Sequence, residues 1–149
     1  MLRKLSLSEY VKRRNGLALG ASGSMSNMFK RSLGASSFYL FWQYWNPIWG
    51  YYLSYGVMRP LSRLMPVWLA IIVTFAVSGA LHDLAVSLVK WQFIFFFTPW
   101  FILMGSIVII TKKLSISYTK YSWLTRALIN ISLIVISLVL TQLTENYLT

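Results

Sequence analysis

The chain has 149 residues, 57% of them hydrophobic and 17% aromatic, with a mean hydropathy of +0.61. Only 11% are charged, where a soluble domain carries about a quarter, so the composition argues against a soluble globular domain and for an all-α integral membrane protein. A net charge of +11 suits basic loops beside anionic headgroups; no basic stripe on a soluble module can be drawn, which argues against nucleic acid, and the absence of cysteine removes disulfides, thiolate metal sites and cysteine nucleophiles.

Residues 1–35 read as a basic arm. Its LSLSEYVKRR stretch suits either a short amphipathic surface helix or a disordered tail, and GLALGASGSMSN reads as a Gly/Ser-rich loop. Arg3, Lys4, Lys12, Arg13 and Arg14 interrupt any apolar signal-peptide core, so targeting is expected from the internal apolar segments. Residues 36–149 form the membrane domain. Within it, residues 36–57 concentrate Trp42, Trp45 and Trp49 with five tyrosines, residue types that favour the headgroup level. Pro47 breaks this segment and restricts Asn46 before it, so two short interfacial helices or a re-entrant element are expected ahead of a true span.

Arg59, Pro60 and Arg63 make a basic turn. Three spans follow, at about residues 66–89, 91–111 and 124–143. Pro99 is expected to kink the second. The arm, Arg59, Arg63, Lys112, Lys113, Lys120 and Arg126 fall on one side and Lys90 on the other. The positive-inside rule then places the N-terminus in the cytoplasm and the C-terminus outside an inner or plasma membrane.

The only histidine, His82, and one of three acidic residues, Asp83, lie within the first span. His82 sits about 12 Å of helix before Lys90, inside the hydrocarbon region. An ionisable group there faces a protein interior or a wet cavity and marks a functional site; otherwise it is a neutral histidine bonded to a neighbouring helix. Adjacent helical residues diverge by about 100°, so Asp83 does not orient the His82 ring and instead bonds another element or lines the same cavity. Ser78 lies one turn before His82 on the same face. The histidine can serve as a general base toward a hydroxyl. A metal site is weak with one histidine and no cysteine, leaving haem held between two copies or a proton relay as alternatives.

Two separated motifs carry a resemblance. MFKRSLGASSFYLFWQYWN, residues 28–46, is similar to the Phe-Trp-x-x-Trp-(Asn/His) motif of the membrane-bound O-acyltransferases and the stretch before it. FAVSGALHD, residues 75–83, looks like their Phe-x-Val-Ser-Gly-x-x-His-(Glu/Asp) motif, and YGVMRPL between them looks like their basic-proline element. The wax-synthase-like branch is the most similar, over about residues 28–110. The resemblance implies an acyl-CoA or acyl-carrier thioester as co-substrate, a hydroxyl acceptor, and no further cofactor or metal. His82 would be the general base and Asn46 would position or polarise a reactant. Trp42, Trp45, Ser78, Asp83 and Arg59 would bind substrate. The alternative for the tryptophans is interfacial anchoring, and for Asn46 a turn before Pro47. Leu40, Gln43 and Tyr44 depart from the family pattern, which usually has an acidic residue and a basic pair there. Family enzymes are commonly more than twice this length, so a homo-oligomer or a partner membrane subunit is expected alongside membrane lipids. The competing reading is a non-catalytic membrane subunit or scaffold that binds lipid or a partner protein.

Overall fold

A computed structural model describes residues 3–148. The chain is 74% helix, with no strand among the described residues. Helix α1 (Leu7–Asn15) begins at a reciprocal cap, in which Ser6 Oγ accepts from Glu9 N at 3.2 Å and Glu9 Oε2 accepts from Ser6 N at 2.8 Å. It ends at Gly16, whose φ of +86° favours glycine. The Gly/Ser-rich loop is shorter than its composition suggests. Helix α2 (Ser24–Leu33) starts immediately after Gly23 and takes in SMSN, where Met28 and Phe29 begin an apolar stripe that reaches Leu33. The basic arm packs on the aromatic segment: Tyr10 meets the Tyr51 and Tyr55 rings, and Phe29 meets Trp45.

The aromatic segment forms two short helices, α3 (Phe38–Tyr44) and α4 (Pro47–Leu53), broken at Asn46. Asn46 adopts φ +41°, a left-handed conformation that asparagine tolerates, and Pro47 occupies the first turn of α4, where its missing N–H costs nothing. A π-helical turn (Ser54–Met58) and the short α5 (Arg59–Leu61) complete the segment.

Three longer helices follow: α6 (Val67–Lys90), α7 (Phe97–Lys113) and α8 (Trp123–Leu148). Helices α6 and α8 are long and apolar enough to cross a membrane, with mean hydropathies of 1.9 and 2.1 over their best windows. Only 22% of each window is buried within the fold. A core helix of a soluble protein would be mostly covered; here Leu84, Leu88, Val135, Val139 and Leu143 face outward. Helix α7 has 17 residues and starts six positions later than expected, because Trp91 at φ +53° ends α6 and residues 91–96 make the turn. Pro99 therefore lies in the first turn of α7 rather than at a mid-helix kink.

Small residues set the helix packing. A Cβ on Gly79 would lie 2.6 Å from Phe97 O and 2.7 Å from Thr98 Cα, and one on Gly105 would lie 3.0 Å from Phe75. Trp100 Nε1 donates to Ser137 Oγ at 3.0 Å, joining α7 to α8. Asn130, fully buried, donates from Nδ2 to Leu33 O at 2.9 Å and Ala35 O at 3.0 Å and accepts from the Tyr118 hydroxyl. Residues 36–66 then follow the α6–α7 pair inward and back. Ser36 O accepts from Tyr118 N beside the α7–α8 turn. Phe38 and Phe41 cluster with Met104 and Val108. Trp42 meets Phe75 and Phe101, Trp49 reaches Ser78 and His82, and Met58 returns to Thr74. Pro66 then begins α6.

Candidate functional site

His82 projects from α6 into a partial aromatic enclosure. The Trp49 ring stands edge-on at 6.2 Å, Phe101 lies at 5.0 Å and Phe97 at 5.8 Å between ring centroids. Phe97 and Phe101 are one turn apart on α7, so both rings reach the same face. His82 Nδ1 lies 2.7 Å from Ser78 O. A carbonyl oxygen only accepts, so Nδ1 carries the proton, and in the neutral ring Nε2 is left with its lone pair. The imidazole stays exposed on one side.

Asp83 points elsewhere, in keeping with the 100° offset. It is 5% exposed. Its Oδ1 accepts from Phe96 N at 2.8 Å and Phe97 N at 2.7 Å; its Oδ2 accepts from Thr98 N at 2.8 Å and Thr98 Oγ1 at 2.6 Å. The carboxylate thus satisfies the orphan N–H groups at the start of α7, where the helix dipole also favours negative charge. Four donors occupy it, so Asp83 fixes the register of α7, and with it Phe97 and Phe101, against His82.

Asn46 caps α4: its Oδ1 accepts from Trp49 N at 3.2 Å. Among the described residues its Nδ2 forms no hydrogen bond, and its backbone N–H points at Met28 Sδ, 3.3 Å away. No hydrogen bond or ring contact joins Asn46 to His82 directly. Trp49 stands between them, since its backbone is held by Asn46, its Nε1 donates to Ser78 Oγ at 3.0 Å, and its ring abuts His82. The two motifs therefore meet through a residue that lies just outside the first of them. The signal for Trp49 was its position three residues after an asparagine that precedes a proline, the spacing of a side-chain cap.

Trp42 packs edge-on against Phe38, Phe41 and Phe75, and its Nε1 is buried with no hydrogen-bond partner among the described residues. Trp45 stacks on Phe41 and meets Phe29, away from His82. Ser78 is buried and shared between Trp49 and His82. Arg59 lies over the Tyr55 ring at 3.9 Å, on the returning limb. Of the candidate set, the structure gathers His82, Ser78 and Asn46 around Trp49, and sets Trp42, Trp45, Arg59 and the carboxylate of Asp83 outside that contact group.

Two clefts occur elsewhere. One, of about 230 Å³, lies between Ser36, Tyr39 and Lys112. The other, of about 390 Å³, lies between α1, α2, α3 and α8. Neither includes Asn46 or His82. Comparison with protein-family models, with curated proteins and with solved structures gives no match for this chain.

Proposed function

We propose that the chain is a membrane-bound O-acyltransferase-like protein, moving an acyl group from a thioester donor to a hydroxyl acceptor. In this reading α6, α7 and α8 cross the membrane, residues 36–66 re-enter it from the cytoplasmic side, and His82 is the general base. The observation that carries the reading is the bond from His82 Nδ1 to Ser78 O, because it leaves Nε2 as a proton acceptor in a largely apolar surround. The acceptor hydroxyl gives its proton to Nε2 as its oxygen bonds to the thioester carbonyl carbon. The C–S bond then breaks and the thiolate takes the proton from the imidazolium. Asn46 has an uncommitted Nδ2 that can donate to a reactant oxygen while Oδ1 holds Trp49. No cofactor enters this chemistry; the acyl-CoA or acyl-carrier thioester is a co-substrate.

The test is acyl transfer by the purified protein and by His82→Ala. A general base contributes roughly 100- to 10,000-fold, and the variant should lose activity on that scale with its fold intact. Equal rates in the two proteins would sink the base assignment.

One observation favours a second reading, a non-catalytic membrane subunit that binds lipid or a partner protein. His82 is open on one side, and neither cleft encloses it with Asn46. For the enzyme reading a second copy or a partner membrane subunit supplies the missing wall. Wild-type protein that binds an acyl chain yet transfers none in every oligomeric state would favour the second reading.

A further inference from the structure

The larger cleft lies at the end of the molecule where α7 stops and α8 begins, away from His82. Lys30, Arg31 and Arg126 line it together with Asn27, Gly34 and Trp123, and no acidic residue does. Its walls are preset. Trp123 Nε1 donates to Lys30 O at 2.9 Å, which brings the start of α8 onto the end of α2. Gly34 lets the two approach closely: a Cβ there would lie 2.2 Å from Trp123 Nε1, and the indole would have to shift to admit it. Arg31 is held by its own donation to Arg14 O at 2.7 Å and by the Tyr44 ring, 5.0 Å away. Arg126 Nε is buried and has no hydrogen-bond partner among the described residues.

Three cations in one cleft repel each other, and none of the chain's three carboxylates is placed to relieve them. Glu9 is bonded to Arg3 and Ser6. Asp83 caps α7. Glu145 lies roughly 28 Å further along α8 than Arg126. The first turn of α8 holds no acidic residue either, so the positive end of its dipole adds to the same field.

We infer that this cleft binds a phosphate group carried by an anionic lipid headgroup. Guanidinium and ammonium donors around a partly enclosed volume match a phosphate's several acceptor oxygens, and Trp123 suits the depth of a headgroup. A lipid is favoured over a free anion because the cleft is built at the first turn of α8, a helix long and apolar enough to cross a membrane, which sets it at the level where headgroups stand. The inference is independent of the acyl-transfer reading.

The test uses the full-length protein in neutral detergent with equal amounts of phosphatidylglycerol and phosphatidylcholine, followed by native mass spectrometry. Wild type should retain phosphatidylglycerol preferentially, and Lys30→Gln and Arg126→Gln should each lower that retention about tenfold. Arg126 is partly buried, so a loss in R126Q is counted only if that variant folds; Lys30 has an exposed side chain, so K30Q alone keeps the test decisive. Equal retention by wild type and K30Q overturns the site. In a parallel run with inorganic phosphate in place of lipid, retention of phosphate by a wild type that shows no preference between the two lipids overturns the lipid assignment.

Discussion

Asn46 has two separable jobs, and two substitutions tell them apart. Alanine at position 46 would lose the cap to Trp49 N and occupy φ +41° with a Cβ, at a combined cost of about 2 kcal/mol. Glycine tolerates the left-handed conformation and caps nearly as well, so it should cost only a few tenths of a kcal/mol. Thermal unfolding in detergent should therefore rank Asn46→Gly close to wild type and Asn46→Ala well below it. If Asn46 acts on a reactant through Nδ2, both variants lose acyl transfer alike, and glycine rescues stability without rescuing rate. Recovery of both by glycine would make Asn46 purely a cap. His82 and Asp83 show how far single residues could be read from sequence. Their rarity and their depth in an apolar run marked them as special, and the helical offset separated their directions. Which of them was exposed was not legible, because it depends on where the start of α7 lands, 13 to 15 residues downstream of Asp83.

At the scale of elements, the α6–α7 hairpin depends on one carboxylate and one missing side chain. Asp83→Asn keeps the shape but replaces one acceptor oxygen with a donor that faces N–H groups, and should destabilise the fold by about 2–3 kcal/mol. Gly79→Ala should be comparably or more damaging, since its Cβ meets backbone, which cannot swing aside as a side chain can. Both variants should lower the unfolding midpoint in detergent, and for Gly79→Ala a midpoint equal to that of wild type would contradict the close approach. Apolar length made α6 and α8 readable, and Pro47 made the break between α3 and α4 readable. The later start of α7 was not, because WQFIFF is as apolar as the helix that follows it, and what separates turn from helix is the left-handed Trp91 with the bonds to Ser87 and Asp83. For α2 the error ran the other way: glycine and serine content outweighed the stripe from Met28 to Leu33, which packing against α3 and α8 stabilises.

At the scale of the whole molecule, the turn between α7 and α8 is pinned to the α2–α3 junction through Tyr118 and Asn130. Burial pushes the Tyr118 phenol up from 10.0 to about 12. The raised value means that the folded state favours the protonated phenol. The stability this provides is complete below pH 10 and is lost as pH rises toward 12. Tyr118→Phe lacks the ionisable group and the bond to Asn130, so it should be less stable at neutral pH by about 1 kcal/mol yet decline less between pH 10 and pH 12. Parallel declines in the two proteins would place the alkaline transition in another group. The larger question at this scale is whether α7 crosses the membrane with α6 and α8. Its 17 residues span about 26 Å, short of a hydrocarbon core of about 30 Å. Lys112 and Lys113 at its end can extend to the headgroups, and local thinning can absorb the rest. Charge supports the crossing, since Lys30, Arg31, Lys112, Lys113, Lys120 and Arg126 gather where α7 ends while Lys90 stands alone at the other turn. The chain has no cysteine, so single introduced thiols report without background. Gln92 and Thr119 are both exposed and flank α7. In intact cells an impermeant maleimide should label Gln92→Cys directly and Thr119→Cys only after permeabilisation. Labelling of both from the same side would mean that α7 turns back within the membrane, leaving α6 and α8 as the crossing helices.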